Sequence, residues 1–346
     1  MSITEPPLTP EANDGTQDEV ETQHGVDEEE PELWFETTQN NITTNGKGLR
    51  RTATPTGGWP KVYLAVSPSY NVAPDTLNKW EDLEEPTLWA RLYRAKYEAS
   101  VAGKMKTEDA IKNVIKNLIN TQDDETIAVI FPEQDLLPEK ENRFPHPYHL
   151  RIVGLTHTEA RRLTELEVIA SPEATVFFLP KDIPRQLYIL TIKGLRYNDT
   201  TRAKELVENL VRNAFKESPE IRAIVETRAT IPHEEAETRT YNICASFLPV
   251  KQRDDTIRCW NIYFAEDPGY DDESYKLLRK KMRACQFKTV GFGKGYTMTE
   301  DQPLCTGCKS ADHDSYNCPF SRLPGWLGYK PDGPGDVAGT NEFADE

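Results

Sequence analysis

Four residues near the C-terminus carry the most specific chemistry in the chain. Cys305-Thr306-Gly307-Cys308 is followed by four residues and His313, then by four more and Cys318. Two thiolates two residues apart can turn back onto one ion. The four-residue steps then bring an imidazole and a third thiolate to the remaining corners of a tetrahedron. This C-x2-C-x4-H-x4-C spacing is that of a zinc knuckle. Three sulfurs and one nitrogen leave no coordination position open. Cys305, Cys308, His313 and Cys318 are therefore expected to hold one structural zinc ion, not a catalytic one. Gly307 suits the turn between the first two thiolates, where amides can point at sulfur. Cys244, Cys259 and Cys285 lie in apolar runs or behind a helix stripe and read as buried thiols.

The second candidate chemistry is cationic. An amphipathic helix is expected over about 271–284, with Lys276, Arg279, Lys280 and Arg283 at i, i+3, i+4 and i+7 forming a basic ridge. With Lys288 and Lys294, this ridge is suited to neutralising phosphates; residues 276–309 hold eight Lys or Arg against two acids. An acidic start and basic end also suit the helix dipole, so an ordinary solvated helix is the plainer reading. Tyr316 and Trp326 are candidate stacking platforms for bases, or else a lid over a module with almost no core of its own. Gly291-Phe292-Gly293-Lys294-Gly295 lacks the spacing and the Lys-Ser/Thr ending of a nucleotide P-loop and reads as a flexible connector.

No catalytic constellation accompanies these groups. The chain has no Gly-x-Ser-x-Gly elbow, and His233-Glu234-Glu235-Ala236-Glu237 fails the His-Glu-x-x-His pattern at its last position. Neither an enzyme nor a small-molecule substrate is expected.

These residues must be positioned by an α+β fold. Residues 62–66 read as a strand. Trp89, Leu92, Tyr93 and Lys96 fit one face of a helix, as do Ile111, Val114, Ile115 and Leu118 of the next, and 127–131 reads as a short buried strand. The proline-rich stretch 132–147 is the expected boundary. Beyond it, 149–153 is strand-like, and Thr156 with Glu159 forms a capping-box signature ahead of Ala160, Leu163 and Leu166. Strands over 175–179 and 187–192, a helix capped by Asp199 with the stripe Leu206, Val207, Leu210, Val211 and Ala214, and a strand over 221–227 complete the order βαββαβ. That is the ferredoxin-like, RRM-like arrangement. A competing register joins 187–192, the helix, 221–227, 241–247 and 257–264 in one βαβββ sheet. No internal repeat is visible in sequence. The expected division is a disordered acidic leader (1–58), an N-terminal α/β unit (59–147), a ferredoxin-like unit ending in the basic helix (148–300), a zinc knuckle (301–328) and a disordered tail (329–346).

Charge is unevenly spread over the 346 residues. The net of −16 is concentrated in the first 46, which hold twelve acids and no Lys or Arg; the other 300 carry 45 acids against 41 bases. Mean hydropathy is −0.67, and no apolar run approaches a membrane span. The start MSITEPPLTP lacks the basic and apolar regions of a secretory signal. A nuclear or cytoplasmic protein with no membrane partner and reduced cysteines is expected.

The C-terminal third resembles the gag-like, first-open-reading-frame-like proteins of retroelements in mushroom-forming fungi. The resemblance is carried by Gly291-Phe292-Gly293-Lys294-Gly295, the knuckle with Asp312 before its histidine, Pro319-Phe320 and Pro324-Gly325-Trp326-Leu327-Gly328. Upstream, Gly58-Trp59-Pro60 and Trp260-Asn261-Ile262-Tyr263 also belong to it. It implies zinc binding and nucleic-acid binding. Retroviral-type knuckles carry an apolar or aromatic residue after the first Cys and after the His, and a glycine before the His. Here those positions are Thr306, Asp314 and Asp312. The expected function is non-catalytic, zinc-dependent binding of single-stranded RNA or DNA with low sequence specificity. The alternative is a protein-interaction or self-association module in which zinc is only a structural clip.

Overall fold

Which segments become helix and which strand is decided by what each must bury. The computed structural model describes residues 35–37, 41–45, 47–119, 126–135, 146–252, 255–299 and 302–330. It is a mixed α+β fold of antiparallel sheets, and no helix among the described residues is long and apolar enough to cross a membrane. A small three-stranded sheet comes first: β1 (Phe35–Thr37), β2 (Ile42–Asn45) and β3 (Arg50–Thr52). Thr43, Leu49, Arg51 and Thr52 are buried, so the ordered chain reaches well into the expected 1–58 leader. The acidic residues 1–34 lie outside the described residues, as does the tail from 331.

After α1 (Pro74–Glu81), the elements run β4 (Leu88–Leu92), α2 (Val101–Leu118), β5 (Ala128–Ile130), β6 (Leu150–Val153), α3 (His157–Leu166), β7 (Val168–Ala170) and β8 (Thr175–Pro180). The strands form one antiparallel sheet in the order β5-β6-β4-β8-β7. On one face Leu88, Ala90, Ile152 and Phe178 pack with Ile111, Ile115 and Leu118 of α2 and Leu163 of α3. The helix starts are locally encoded: Ser100 accepts a hydrogen bond from the Gly103 amide, and Thr156 with Glu159 closes a reciprocal capping box.

The second half repeats the scheme. It runs β9 (Tyr188–Lys193), α4 (Thr201–Glu217), α5 (Pro219–Arg228), α6 (His233–Tyr241), β10 (Ile243–Gln252), β11 (Asp255–Phe264), α7 (Asp272–Arg283), β12 (Phe287–Lys288) and β13 (Lys294–Thr297). The sheet order is β10-β11-β9-β13-β12, again all antiparallel. Ile192, Trp260 and Ile262 pack with Val207, Val211 and Phe215 of α4 and Leu278 and Met282 of α7. In each half the first strand is central, its neighbours are the third strand and the last, and a short hairpin strand closes the far edge. This shared topology has no visible counterpart as a sequence repeat.

Several expectations are corrected. Residues 88–92 are a central strand, not a helix. Leu88 and Ala90 face the helices while Trp89 meets Trp80 (5.4 Å between ring centroids) on the other side, so both faces are apolar and the period-2 signal is erased. Residues 221–227 lie in α5, not a strand. Ser218 caps it, Pro219 occupies its first turn, and Ile221, Ile224 and Val225 form the buried stripe. Thr200, not Asp199, caps α4. Residues 62–66 make only an isolated bridge, Leu64 to Ser310. The expected boundary at 147/148 falls between β5 and β6, which are paired neighbours. The βαββαβ unit drawn over 148–227 is split, with β6 and β8 in the first sheet and β9 in the second.

Candidate metal centre

The four sequence-predicted ligands come together. Cys305, Cys308 and Cys318 are fully buried, His313 is buried, and their donor atoms all lie within 4.8 Å of one another. The Cys308 amide donates to Cys305 Sγ (3.3 Å), and His313 Nε2 lies 3.2 Å from Cys308 Sγ. This buried Cys3His cluster can hold a metal ion. The left-handed residue of the loop is Lys309 (φ 59°), not Gly307. Gly307 is needed for a different reason: a Cβ there would stand 2.4 Å from Cζ of Tyr93. The single helical turn Ser315–Asn317 then delivers Cys318. Asp314 caps it through the Asn317 amide, and Thr306 bonds Ser315 Oγ through its amide (2.9 Å). Thr306 and Asp314, where an apolar or aromatic residue would mark a base-reading knuckle, hold the loop together instead.

Asp312 organises the histidine. Its Oδ1 lies 2.7 Å from His313 Nδ1 and accepts from Ser310 Oγ at 2.7 Å, while Oδ2 accepts from Tyr263 Oη at 2.9 Å. The carboxylate fixes Nδ1 as the protonated nitrogen and leaves Nε2 for an ion. Burial opposes its charge, but these hydrogen bonds, His313's foremost, outweigh burial and hold it below the usual range for an aspartate.

The cluster sits between the two sheets. On the side of the first, Cys305, Cys308, Cys318, Phe320 and Trp326 pack with Trp59, Val168, Ala170 and Phe177, and Tyr93 donates to Cys318 Sγ (3.2 Å). On the side of the second, Tyr263 holds Asp312 and Asn261 Nδ2 donates to the Asp312 carbonyl, while Asn317 Nδ2 donates to the Pro249 carbonyl (2.7 Å). The segment before α1 joins in: the Ala311 amide donates to the Tyr63 carbonyl, and Tyr63 packs on Tyr263 at 4.9 Å.

Sequence reasoning missed Arg91. Its guanidinium is fully buried, lies 4.1 Å over the ring of Phe177, and has no hydrogen-bond partner. Burial lowers its pKa to about 10, and the thiols of Cys308, Cys305 and Cys318 pull the other way. A charged residue inside the apolar run Leu88-Trp89-Ala90-Arg91-Leu92 was the available signal. Its partners, more than two hundred residues away, were not.

The expected nucleic-acid residues fare unevenly. Trp326 is only 3% exposed and makes an edge contact with Tyr93, so it is a packing residue and no base can stack on it. Tyr316 is half-buried with Lys251 Nζ 4.3 Å from its ring. On α7 only Arg279 of the ridge is drawn inward, while Lys276, Lys280 and Arg283 are exposed. Lys276 pairs with Glu273 (2.8 Å), Arg283 Nε donates to the Ile189 carbonyl (2.9 Å), and Arg279 buries an unpartnered Nε. Lys280 and Lys288 are exposed and Lys294 is half-exposed. Of the remaining cysteines, Cys259 is buried and Cys285 half-buried, but Cys244 is exposed. No family model, curated protein or solved structure matches the chain.

Proposed function

We propose that the protein is a non-catalytic binder of single-stranded nucleic acid, RNA or DNA, built on two ferredoxin-like, RRM-like units with one structural zinc ion between them. The observation that carries the zinc assignment is a closed, buried donor set of three sulfurs and one imidazole. Sulfur and imidazole donors suit zinc. Tetrahedral bonds of about 2.3 Å to sulfur space the donors about 3.8 Å apart, inside the 4.8 Å span of the cluster. With all four corners filled by protein, the ion would clip the two sheets together and act on no substrate.

The clip covers part of each sheet face opposite the helices, the face on which such folds most often read bases. Binding is therefore assigned to Lys280 on α7 and Lys288 and Lys294 on the β12–β13 hairpin, rather than to Lys276 and Arg283, which Glu273 and the Ile189 carbonyl engage. It is supported by the gag-like resemblance of that segment. Assembly by strand addition has less support. The outer edge of β10 is capped, with the Ala245 amide donating to Glu208 (2.9 Å) and the Pro249 carbonyl held by Asn317.

Fluorescence anisotropy with a labelled single-stranded oligonucleotide at about 50 and 200 mM salt tests the proposal. Binding that weakens steeply with salt, and weakens again in Lys280→Glu/Lys288→Glu, is expected. No binding by the wild-type protein at the lower salt would sink it.

A further inference from the structure

The Gly-Phe-Gly-Lys-Gly segment is a built turn, not a flexible connector. It closes the β12–β13 hairpin against the end of β9. Gly293 (φ +90°) and Gly194 (φ +92°) meet there: a Cβ on Gly293 would stand 2.5 Å from the Gly194 carbonyl oxygen, and one on Gly194 2.5 Å from that of Lys294. The Arg196 amide donates to the Phe292 carbonyl (2.9 Å). Glycines at this approach let two backbones touch, and Phe292, next to Gly293, is exposed.

What the turn displays is unusual for a surface. Phe292 is 49% exposed and stacks on Tyr197, ring centroids 4.8 Å apart and planes 17° apart. Tyr296 is 51% exposed on the sheet face opposite the helices, with Lys294 Nζ 5.1 Å from its ring. Lys288 and Lys294 are directly opposed in the register of β12 and β13. Like charges facing across a strand pair destabilise the pair, so folding alone does not explain them. The two contributing segments, 188–198 and 286–299, hold four Lys or Arg and no Asp or Glu. An aromatic step flanked by cations is the arrangement that takes stacked bases with their phosphates alongside.

We infer that Phe292 on Tyr197, with Tyr296, forms the base-stacking platform of this protein, and that Arg196, Lys288 and Lys294 receive the adjoining phosphates of a single strand. The inference rests on the nucleic-acid reading above and locates its contact site away from the knuckle. The platform lies at the edge of the second sheet, where β9, β13 and β12 meet.

The test compares a labelled twelve-residue oligouridylate with an abasic strand of the same length and charge. The wild-type protein is expected to bind the oligouridylate more tightly than the abasic strand. Phe292→Ala/Tyr296→Ala should lose roughly 5- to 150-fold per stacked base, bind the two strands equally, and keep the wild-type salt slope. Phe292→Leu/Tyr296→Leu repeats the test with the apolar contact to Tyr197 kept, should the alanine variant not fold. Lys288→Glu should flatten the salt slope instead. Base-dependent binding that survives in the two aromatic double variants would overturn the platform and leave the nucleic-acid reading standing. A wild-type protein that binds neither strand would overturn both.

Discussion

Replacing Asp312 separates charge from geometry at the metal centre. Its carboxylate faces three groups at once: His313 Nδ1, Ser310 Oγ and Tyr263 Oη. Losing the group that orients a ligating imidazole lowers metal affinity by about 10- to 100-fold, or about 1.4 to 2.7 kcal/mol. Asp312→Asn keeps an oxygen for the Nδ1 proton and Ser310 but loses the charge and puts an amide NH2 where Oδ2 accepts from Tyr263, so the lower end, about 10-fold, is expected. Asp312→Ala removes the acceptor altogether: Ser310 Oγ keeps the Tyr63 carbonyl at 3.4 Å, while the Tyr263 hydroxyl loses its 2.9 Å acceptor, at a cost of about 1–3 kcal/mol. About 100-fold weaker zinc binding and a lower melting temperature are expected. Competition against a chromophoric chelator, with reduced protein at pH 7.5, reads the affinity, and thermal unfolding reads the melting temperature. The order wild type, Asn, Ala is required. An alanine variant holding zinc as tightly as wild type would show that the imidazole is placed without the carboxylate, and the reasoning would fail.

Three further outcomes follow from other contacts. Three thiolates around a divalent ion would leave a net charge of −1, which buried Arg91 would offset. Arg91→Met should weaken zinc binding at least about 100-fold, from the roughly 3–5 kcal/mol cost of an unpaired buried charge, and equal affinity in a chelator competition would refute the role. His149 is buried with an unpartnered Nε2; burial, then Arg91 and Lys309, push its pKa well below 6.5. Below pH 6.5 the unfolded chain takes a proton that the folded one refuses. Urea-unfolding stability should therefore fall by about 1.4 kcal/mol per pH unit as the solution is acidified from 6.5, and His149→Leu should lose that slope; parallel slopes would contradict it. Trp326→Ala should cost about 3–5 kcal/mol of stability and leave oligonucleotide affinity unchanged in protein still folded, whereas a specific loss of binding would restore Trp326 to the contact surface.

What could be read from the sequence was what is encoded within a few residues. The Cys3His spacing, the Thr156–Glu159 box and the stripe Ile111, Val114, Ile115 and Leu118 each need only local geometry, and all appear in the structure. Failures came where tertiary burial overrides local pattern. Trp89 and Leu92 read as helix because both faces of β4 are covered, one of them by residues far along the chain. Ile221, Ile224 and Val225 are apolar and partly β-branched, yet Ser218 and Pro219 start a helix. Of the two roles open to Trp326 in sequence, stacking platform or lid, its burial fits the second, and the knuckle it covers is not an appendage. It is instead a wedge, and Arg91, Tyr93 and Tyr263, distant in sequence, complete its surroundings. The two halves share one topology without a repeat in sequence because α4 to α6 occupy the place that α2 fills alone.

The central claim, a closed zinc site clipped between two sheets, is tested most directly by zinc-edge X-ray absorption on the reduced 346-residue chain. The account predicts one zinc per chain with three sulfurs near 2.3 Å, one imidazole nitrogen near 2.0 Å and no bound water. A zinc-free protein, or an ion with oxygen in its coordination sphere, would contradict it.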